Sequence, residues 1–272
     1  MKQTIVITGS TRGIGRGLAA EFLKLGCNVF VTGRSEAAVA AVVAELTPLG
    51  PVAGCPCDVR RAADHAAVWA QAVERFGRVD VWINNAAVAT DRLALAELPA
   101  DQVEATVDTN LTGAMLGTRA ALAGMQQQGG GQIFLFEGFG SDGMTTPGLT
   151  VYGTTKRALR YFTAAMAKEC GKGPVLIGSL SPGLVATDLL VYSSRSADPA
   201  EWARAKRVMN ILADRVETVT PWLAAAALAN TKQGASIAWL TRRKAFWRFL
   251  TAAFRRRDLI AEIEAKSALV VR

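Results

Sequence analysis

Short apolar segments of strand length alternate with segments of helical apolar spacing along most of this chain. The strand-like segments are 4–9, 28–33, 51–59, 80–86, 132–138 and 175–183. The helical spacing covers 14–25, 35–46, 62–76, 101–126 and 153–170. Strands that alternate with helices form βαβ units, whose strands pair in parallel beneath their helices. The pattern therefore predicts an α/β fold, a doubly wound parallel sheet with helices on both faces.

The length of the chain fits one such domain. With 272 residues, half of them apolar, the chain can bury one sizeable core, so 1–272 is predicted to be a single domain. Between 188 and 220 the strand pattern stops and the sequence is helical in character. Because insertions beside such sheets often cover ligands, we expect this segment to form a substrate lid.

Cysteine and histidine usage gives no support to disulfides or metal. Cys27, Cys55, Cys57 and Cys170 lack the spacing of a disulfide framework or a zinc site. His65, the one histidine, lies in a helical segment, so we expect no metal and no histidine-based triad. The strand pattern starts at the second residue, so we expect no leader peptide. The sequence also lacks a run of 18 apolar residues, so we expect no membrane-spanning helix. We expect reduced thiols in a cytoplasmic protein.

A glycine-rich turn follows the first strand and opens the first helix. Gly9, Gly13 and Gly15 let the backbone come close to a diphosphate, and the helix N-terminus offers free N–H groups. The other loop residues expected to contact the cofactor are Ser10, Thr11, Arg12 and Ile14. A turn of this kind between a strand and a helix indicates a dinucleotide site in a Rossmann-type domain.

The end of the second strand indicates which nicotinamide cofactor binds. An acidic residue there would bind the ribose hydroxyl of NAD, but the sequence has Arg34 and Ser35. Arg34 and Arg12 supply positive charge for a 2′-phosphate, which predicts NADPH, with NADP preferred over NAD. The alternative is that both arginines are solvated loop residues.

Tyr152 and Lys156 are four residues apart at the start of a predicted helix, so their side chains share one face. A protonated lysine beside a phenol favours the phenolate. We therefore expect Lys156 to lower the pKa of Tyr152 from about 10 toward neutral pH. A phenol with such a pKa is suited to general acid or base catalysis.

Six segments, in order, resemble the short-chain dehydrogenase/reductase family. They are TGSTRGIG (8–15), CDV (57–59), NNAA (84–87), TN (109–110), YGTTK (152–156) and SPGLVATD (181–188). This resemblance covers residues 1 to about 190. A narrower one is carried by FEGFGSDGMTTPGLTVYGTTKRALRYF (136–162), which is similar to the chlorophyll b reductases. Those enzymes reduce the formyl group of chlorophyll b to a hydroxymethyl group.

The resemblance implies a role for each matching residue. Tyr152 would protonate the carbonyl oxygen, Lys156 would hold the nicotinamide ribose, and Asn110 would hold a water of a proton relay. The alternative for Asn110 is a helix-bending residue without a chemical role. Cofactor contacts are implied for Asp58, Val59, Asn85, Ala86, Pro182, Gly183, Val185 and Thr187. Members are usually dimers or tetramers, so a homo-oligomer is expected.

The sequence departs from the family at its catalytic serine. Where the family has two serines after the fifth strand, this chain has Glu137 and Gly138. Ser141 is the nearest substitute for polarising the carbonyl, ahead of Thr145 and Thr146. The alternative for Ser141 is an ordinary turn serine. Glu137 is either a buried acid with a role at the substrate or a hydrogen-bonded loop anchor.

A basic segment lies near the C-terminus. Residues 242–257 contain seven basic residues and no acidic one, a large share of the net charge of +8. Apolar residues recur there at helical spacing, namely Phe246, Phe249, Leu250, Ala253 and Phe254. Such a helix could contact an anionic membrane peripherally, pack on the core with a solvated basic face, or cover an apolar pocket. Nucleic acid is not an expected partner, because no motif that reads it accompanies the charge.

Together the patterns and the family resemblance imply an NADPH-dependent reductase that transfers hydride to a carbonyl or formyl group of an apolar small molecule. The formyl group of chlorophyll(ide) b is the most specific version of this prediction. A generic ketone or 3-oxoacyl reductase is the alternative among enzymes. A non-catalytic NADPH-binding sensor or scaffold is the alternative from another class, because the serine is displaced.

Overall fold

Seven strands form one parallel sheet. They are β1 Thr4–Ile7, β2 Asn28–Gly33, β3 Val52–Pro56, β4 Val81–Asn84, β5 Gly131–Phe136, β6 Val175–Ser181 and β7 Ala235–Ala238. Their order across the sheet is β3-β2-β1-β4-β5-β6-β7. This computed structural model describes residues 2–194, 198–252 and 257–270, and in the last range it describes side chains up to residue 264.

Helices follow most of the strands. They are α1 Gly13–Lys24, α2 Glu36–Leu46, α3 Ala62–Phe76, α4 Ala100–Val107, α5 Gly113–Gln127 and α6 Thr150–Cys170. The C-terminal part contains α7 Asp188–Ser194, α8 Pro199–Leu212, α9 Val216–Leu228, α10 Arg242–Leu250 and α11 Leu259–Val270. Among the described residues there are also a 3₁₀ turn at Thr47–Leu49 and a π turn at Asp108–Thr112.

Side chains of β1 alternate between two buried clusters. Ile5 and Ile7 pack with residues of α1 and α9, and Val6 packs on the other face with residues of α3 and α5. All three side chains are completely buried. Because helices cover both faces of a parallel sheet, a central strand must be apolar at every position. This is why the strand segments show continuous apolar runs in the sequence.

The strand order reverses at the centre of the sheet. β1 pairs with β2 on one side and with β4 on the other. At such a point the loops after neighbouring strands run to opposite faces of the sheet and leave a crevice at the carboxyl edge. Most of the predicted site residues lie in the loops after β1 to β6 at this edge, whereas Asn110 lies in the π turn and Tyr152 and Lys156 lie on α6.

The predicted fold is confirmed, and two elements differ from the prediction. The spacing over 101–126 predicts one helix, but the π turn at Asp108–Thr112 divides it into α4 and α5. β7 is not predicted, because its four residues ASIA include no fully buried position and give no clear apolar pattern.

The C-terminal part is helical, as its sequence predicts. The 188–220 segment contains α7, α8 and the start of α9, and residues 195–197 lie outside the described residues. The predicted basic helix is present over Arg242–Leu250, whereas Ala253, Phe254, Arg255 and Arg256 lie outside the described residues. Within the described ranges, no helix combines the length and the apolar character needed to cross a membrane. All four cysteines are unpaired.

Candidate active site

The glycine-rich turn after β1 lies directly against the residues that follow β4. Gly9 has a φ of 63° and Gly13 a φ of 57°, in the left-handed region that glycine adopts without strain. A Cβ at residue 9 would lie 2.7 Å from Ala86 Cα, and a Cβ at Gly15 would lie 2.5 Å from Asn85 Nδ2. Neighbouring atoms therefore exclude any side chain at residues 9 and 15.

Buried polar groups beneath the turn fix its shape. Thr8 Oγ1 accepts the N–H groups of Asn85 at 3.0 Å and of Ala86 at 3.1 Å. Asn85 Nδ2 donates to the carbonyl oxygens of Thr8 at 2.9 Å and Gly9 at 3.0 Å. Ser10 is completely buried, and its hydroxyl bonds the ends of β1 and β2. Ser10 therefore supports the turn from below.

A cavity of about 330 Å³ reaches the turn at Gly13. Gly13, Thr187, Arg215 and Glu262 are among its lining residues. α1 begins at Gly13, and its N-cap residue, Arg12, makes no side-chain hydrogen bond to the first turn. An uncapped helix N-terminus beside a cavity suits a diphosphate. The residues present therefore fit a dinucleotide cofactor.

The residues predicted to select NADPH lie at the end of β2. Arg34 directly follows this strand, and both Arg34 and Arg12 are exposed. Ser35 caps α2, and its Oγ accepts an N–H of the first turn at 3.3 Å. Arg60 binds Asp58 through contacts of 2.6 to 3.1 Å. Hydrogen bonds from Arg60, with a smaller contribution from the charge of Arg34, hold the pKa of Asp58 below its usual range.

Three further predicted contacts lie nearer to the core. Thr11 packs against the end of β2, and Ile14 packs on the cluster beneath α1. Val59 is buried, and its carbonyl oxygen lies 2.8 Å from His65 Nε2. His65 is completely buried, and this burial lowers its pKa. His65 is therefore a core residue.

The turn after β6 brings Thr187 to the glycine-rich turn. Gly183 has a φ of 71°, and a Cβ there would lie 2.4 Å from Leu240 Cβ. Pro182 and Val185 are buried beside it. A Cβ built on Gly13 would lie 3.7 Å from Thr187 Cγ2. The structure thus brings this set of predicted residues to the edge of the cavity.

Tyr152 and Lys156 lie one turn apart on α6, as predicted. Lys156 Nζ lies 5.7 Å from the centroid of the Tyr152 ring and donates to Phe136 O at 3.1 Å. Lys156 is 3% exposed, and Tyr152 is partly buried. The end of β5 thereby fixes the position of the ammonium group beside the phenol.

The pKa values of this pair differ from the prediction. Burial raises the pKa of Tyr152 to about 12. Burial lowers the pKa of Lys156 to about 8, although the charge of Glu137 acts in the opposite direction. Removal of water disfavours the charged form of each group, so the two pKa values shift in opposite directions. The prediction that Lys156 lowers the pKa of Tyr152 is therefore wrong for this structure.

Asn110 lies in the π turn and connects the loop after β4 to α6. Its Oδ1 accepts the Val88 N–H at 2.8 Å, and its Nδ2 donates to Val88 O at 2.9 Å and to Thr155 Oγ1 at 3.2 Å. Thr155 in turn donates to Tyr152 O at 2.7 Å. The side chain of Asn110 is 1% exposed and fully engaged. It therefore fixes α6 at the level of Tyr152, in a π turn of the kind often found at functional sites.

The loop after β5 places a glycine against the phenol. A Cβ at Gly138 would lie 2.7 Å from Tyr152 Oη and 3.2 Å from Lys156 Cε. Ser141 is 3% exposed, and its Oγ accepts the Gly138 N–H at 2.9 Å and donates to Gly138 O at 2.6 Å. The hydroxyl proton of Ser141 is thus used within the loop, which favours the alternative of a turn serine. Thr145 is exposed further along the loop.

Glu137 is a buried acid at the end of β5. Its side chain accepts the Ser179 hydroxyl at 2.9 Å, and its N–H donates to Leu180 O at 2.9 Å. Its exposed fraction is 8%, and its charge raises the pKa of Lys156. Glu137 is therefore anchored to β6 and also acts electrostatically on the lysine.

α7 is joined to the loop after β4. Tyr192 Oη donates to Asp91, and Arg92 Nη1 donates to Ser194 O at 3.1 Å. Gln102 also donates to Asp91 at 2.7 Å, and hydrogen bonds from Gln102 and Tyr192 lower the pKa of Asp91. These contacts hold the first helix of the predicted lid to a loop that borders the site.

Comparison with known proteins gives a consistent set of relatives. The family model described as short chain dehydrogenase matches residues 3–198. The protein named Probable chlorophyll(ide) b reductase NYC1, chloroplastic, from Oryza sativa subsp. japonica is 34% identical over 93% of this chain and 53% of its own length. Chlorophyll(ide) b reductase NOL, chloroplastic, from the same plant is 36% identical over 95% of this chain and 78% of its own length.

A solved structure shows the same architecture. The crystal structure of a short-chain type dehydrogenase/reductase from Mycobacterium marinum has a TM-score of 0.75 and 26% identity, and the match covers 87% of this chain and 93% of that chain. The chain described here spans about half the length of the first of the two plant relatives.

Proposed function

The chain belongs to the short-chain dehydrogenase family and is an oxidoreductase, and from this premise we propose that it is an NADPH-dependent reductase of a carbonyl or formyl group. We propose the formyl group of chlorophyll(ide) b as its substrate. The observation that carries the proposal is the phenol of Tyr152, held beside Lys156 and against the backbone of Gly138. No side chain at Gly138 separates a reacting oxygen from this phenol.

Tyr152 supplies the proton in this proposal. Because burial raises its pKa to about 12, the phenol is protonated at neutral pH and can donate to an oxygen that gains negative charge. Lys156, with its pKa lowered to about 8 by burial, still carries its charge in most molecules at neutral pH. That charge stabilises the tyrosinate left by the transfer, and the ammonium group also binds the nicotinamide ribose.

Asn110 acts on the reaction through position. Its bonds to Val88 and Thr155 fix α6 against the loop after β4, so that Tyr152 faces the crevice. Both amide protons of Asn110 are used in bonds to Val88 and Thr155, so its proposed contribution to proton transfer is to position the helix that carries Tyr152 and Lys156.

NADPH supplies the hydride when it is bound. The N-terminus of α1 would hold its diphosphate, and Thr187 at the edge of the cavity would hold its nicotinamide end. Arg12 and Arg34, whose guanidinium groups are exposed, would hold the 2′-phosphate. Arg60 already neutralises Asp58, which leaves the guanidinium group of Arg34 for the phosphate.

Apolar side chains are exposed on the segments near the pair. Leu93 and Leu95 follow β4, Met144 follows β5 and Tyr192 lies on α7, with exposed fractions between 38% and 59%. Exposed apolar groups on loops that follow the strands at this edge suit a large apolar ligand better than a small polar ketone. Together with the plant relatives, this favours a pigment as the substrate.

Absorbance spectroscopy of chlorophyllide b incubated with the protein and NADPH tests the proposal. We expect a shift to the spectrum of the hydroxymethyl product. Tyr152→Phe should lower the rate by about 10² to 10⁴-fold, because the proton donor is lost. Tyr161→Phe is the matched control on the same helix, and since Tyr161 is 78% exposed it should leave the rate unchanged.

Other outcomes would favour the alternatives. Turnover of 3-oxoacyl thioesters or small ketones, with none of chlorophyllide b, would indicate a generic carbonyl reductase. If NADPH binds but wild type and Tyr152→Phe oxidise it equally slowly with every carbonyl, the protein is a sensor or scaffold.

A further inference from the structure

α10 turns its apolar side chains toward solvent. Phe246, Trp247, Phe249 and Leu250 are 62%, 60%, 49% and 54% exposed. The helix has nine residues, so almost half of its side chains are large apolar groups in water. Protein surfaces seldom concentrate such groups unless a partner protein, a membrane or a ligand covers them. This face is therefore suited to an interaction.

Charged side chains of the same helix hold it to the body of the protein. Arg248 donates to Asp214 at 2.6 Å and to Leu212 O at 2.7 Å. Lys244 Nζ lies 3.0 Å from the centroid of the Trp239 ring. Rotating α10 to bury its aromatic residues would break the Arg248–Asp214 pair, whose side chains are 15% and 6% exposed. The exposure of the apolar face is thus built into the way the helix is anchored.

The charge beside the apolar face selects its occupant. Arg242 and Arg243 are exposed in the first turn of α10, where the helix dipole adds positive charge. The sequence from 239 to 252 contains no acidic residue. A second copy of the chain, meeting this face about a two-fold axis, would bring like charges together. Aromatic residues beside arginines instead match the composition of helices that lie on anionic lipid.

We propose that α10 docks the protein onto the surface of an anionic lipid bilayer. Phe246, Trp247, Phe249 and Leu250 enter the boundary of the acyl chains, and Arg242 and Arg243 bind headgroups. With nine residues the helix is about 13 Å long, so it lies in the interface and does not cross the bilayer. Because α10 packs beside α8, docking brings the predicted lid to the lipid surface.

Sedimentation of the full chain with lipid vesicles tests this proposal without any substrate. We expect binding to phosphatidylcholine vesicles that contain roughly one third phosphatidylglycerol. Binding to pure phosphatidylcholine vesicles, or to the anionic vesicles at high salt, should be weaker by about tenfold or more. The tryptophan fluorescence should shift to shorter wavelength on binding, and Trp247→Phe should remove most of that shift.

Matched variants distinguish binding through α10 from non-specific binding through other exposed apolar or basic residues. Phe246→Ser/Phe249→Ser should weaken binding by about tenfold or more, whereas Leu25→Ser, at 49% exposure, should not. Arg242→Glu/Arg243→Glu should also weaken vesicle binding by about tenfold or more. Lys172→Glu/Lys232→Glu makes an equal charge change elsewhere on the surface and should leave vesicle binding unchanged. All these side chains are exposed, so the fold should be retained and is checked by circular dichroism.

Three outcomes would overturn the proposal. The first is no sedimentation of the wild type with anionic vesicles. The second is equal loss of binding in the α10 variants and their controls, because the general basic charge would then be responsible. The third is a change in oligomeric mass in Phe246→Ser/Phe249→Ser without vesicle binding by the wild type, because the face would then join copies of the chain.

Discussion

Burial removes water from the side chains of Tyr152 and Lys156. It therefore raises the pKa of Tyr152 and lowers the pKa of Lys156. For a proton donor this is favourable, because the phenol stays protonated at neutral pH. For the ammonium group of Lys156, burial is unfavourable because it disfavours the charged form. The charge of Glu137, at the end of β5, partly offsets this effect. A buried acid outside the family motif thus helps to keep the lysine charged.

Glu137→Gln should move the alkaline limb of the pH–rate profile to lower pH by roughly one unit. Burial has already lowered the pKa of Lys156 to about 8, and removal of the Glu137 charge lowers it further. Tyr152 and Glu137 are the titratable groups that face Lys156 in the described part of the site. Glu137→Asp keeps the charge and should restore most of the profile. An unchanged profile in Glu137→Gln would show that Glu137 only anchors the loop.

Gly138→Ala should lower kcat by about tenfold or more with little loss of stability. Its Cβ would lie 2.7 Å from Tyr152 Oη, so the phenol must move away from its position beside Lys156. Gly153→Ala is the matched control, because its Cβ would lie 3.8 Å from Gly140 Cα, an ordinary contact. Steady-state kinetics of both variants check this, and equal activity would show that the phenol tolerates displacement.

At the scale of elements, one carboxylate connects the turn after β6 with the C-terminal helices. Asp214 accepts hydrogen bonds from Trp239 at 2.7 Å, Arg248 at 2.6 Å and Arg257 at 3.2 Å. Its backbone also bonds the segment after β6, where Ala186 N–H donates to its carbonyl oxygen at 2.8 Å. The anchoring of α10 is therefore coupled to the segment that carries Thr187.

Asp214→Asn should lower the free energy of unfolding at neutral pH by about 3 kcal/mol, because Arg248 is left without its buried partner. Burial alone would raise the pKa of Asp214, but hydrogen bonds from Trp239 and Arg248 hold it below its usual range. The charged form therefore stabilises the fold above about pH 4, and this contribution is lost as the pH falls further.

Urea unfolding of wild type and Asp214→Asn at neutral and acidic pH measures this difference. The two curves should converge as the pH falls below about 4. Glu104→Gln, an exposed acid in α4, is the control and should change stability by no more than about 0.5 kcal/mol. A constant difference at all pH values would mean that the loss is one of packing rather than charge.

The sequence predicts the strands, helices and motifs better than it predicts the buried polar residues that hold the site in place. Six strands, the glycine-rich turn and the Tyr152–Lys156 pair follow from apolar spacing and local motifs. Thr8, Thr155 and Ser179 brace the site from buried positions, and one sequence cannot distinguish such residues from ordinary core threonine and serine. The hydroxyl bonds of Ser141 and the raised pKa of Tyr152 also escape prediction, because both depend on how the loop after β5 packs on α6.

At the scale of the whole molecule, the proposed cofactor site joins distant parts of the chain. The glycine-rich turn, Arg34, Thr187 and Glu262 in α11 lie around one edge of a single sheet. A ligand bound there stabilises the whole cooperative unit, by about 2.7 kcal/mol at 100 times its Kd. For a domain of this size, that corresponds to a rise in Tm of about 5 to 10 °C.

Arg34→Asp should reverse which of the two cofactors, NADPH or NADH, raises Tm more. In the wild type NADPH should raise Tm more than NADH at equal concentration, because Arg34 binds the 2′-phosphate. The variant should bind NADPH about tenfold or more weakly, since a charge-assisted contact is replaced by repulsion, while NADH binding improves. Lys172→Asp, the same charge change before β6, should leave both shifts as they are. Equal Tm shifts for the two cofactors in the wild type would instead mean that Arg34 is a solvated loop residue and that the protein does not select NADPH.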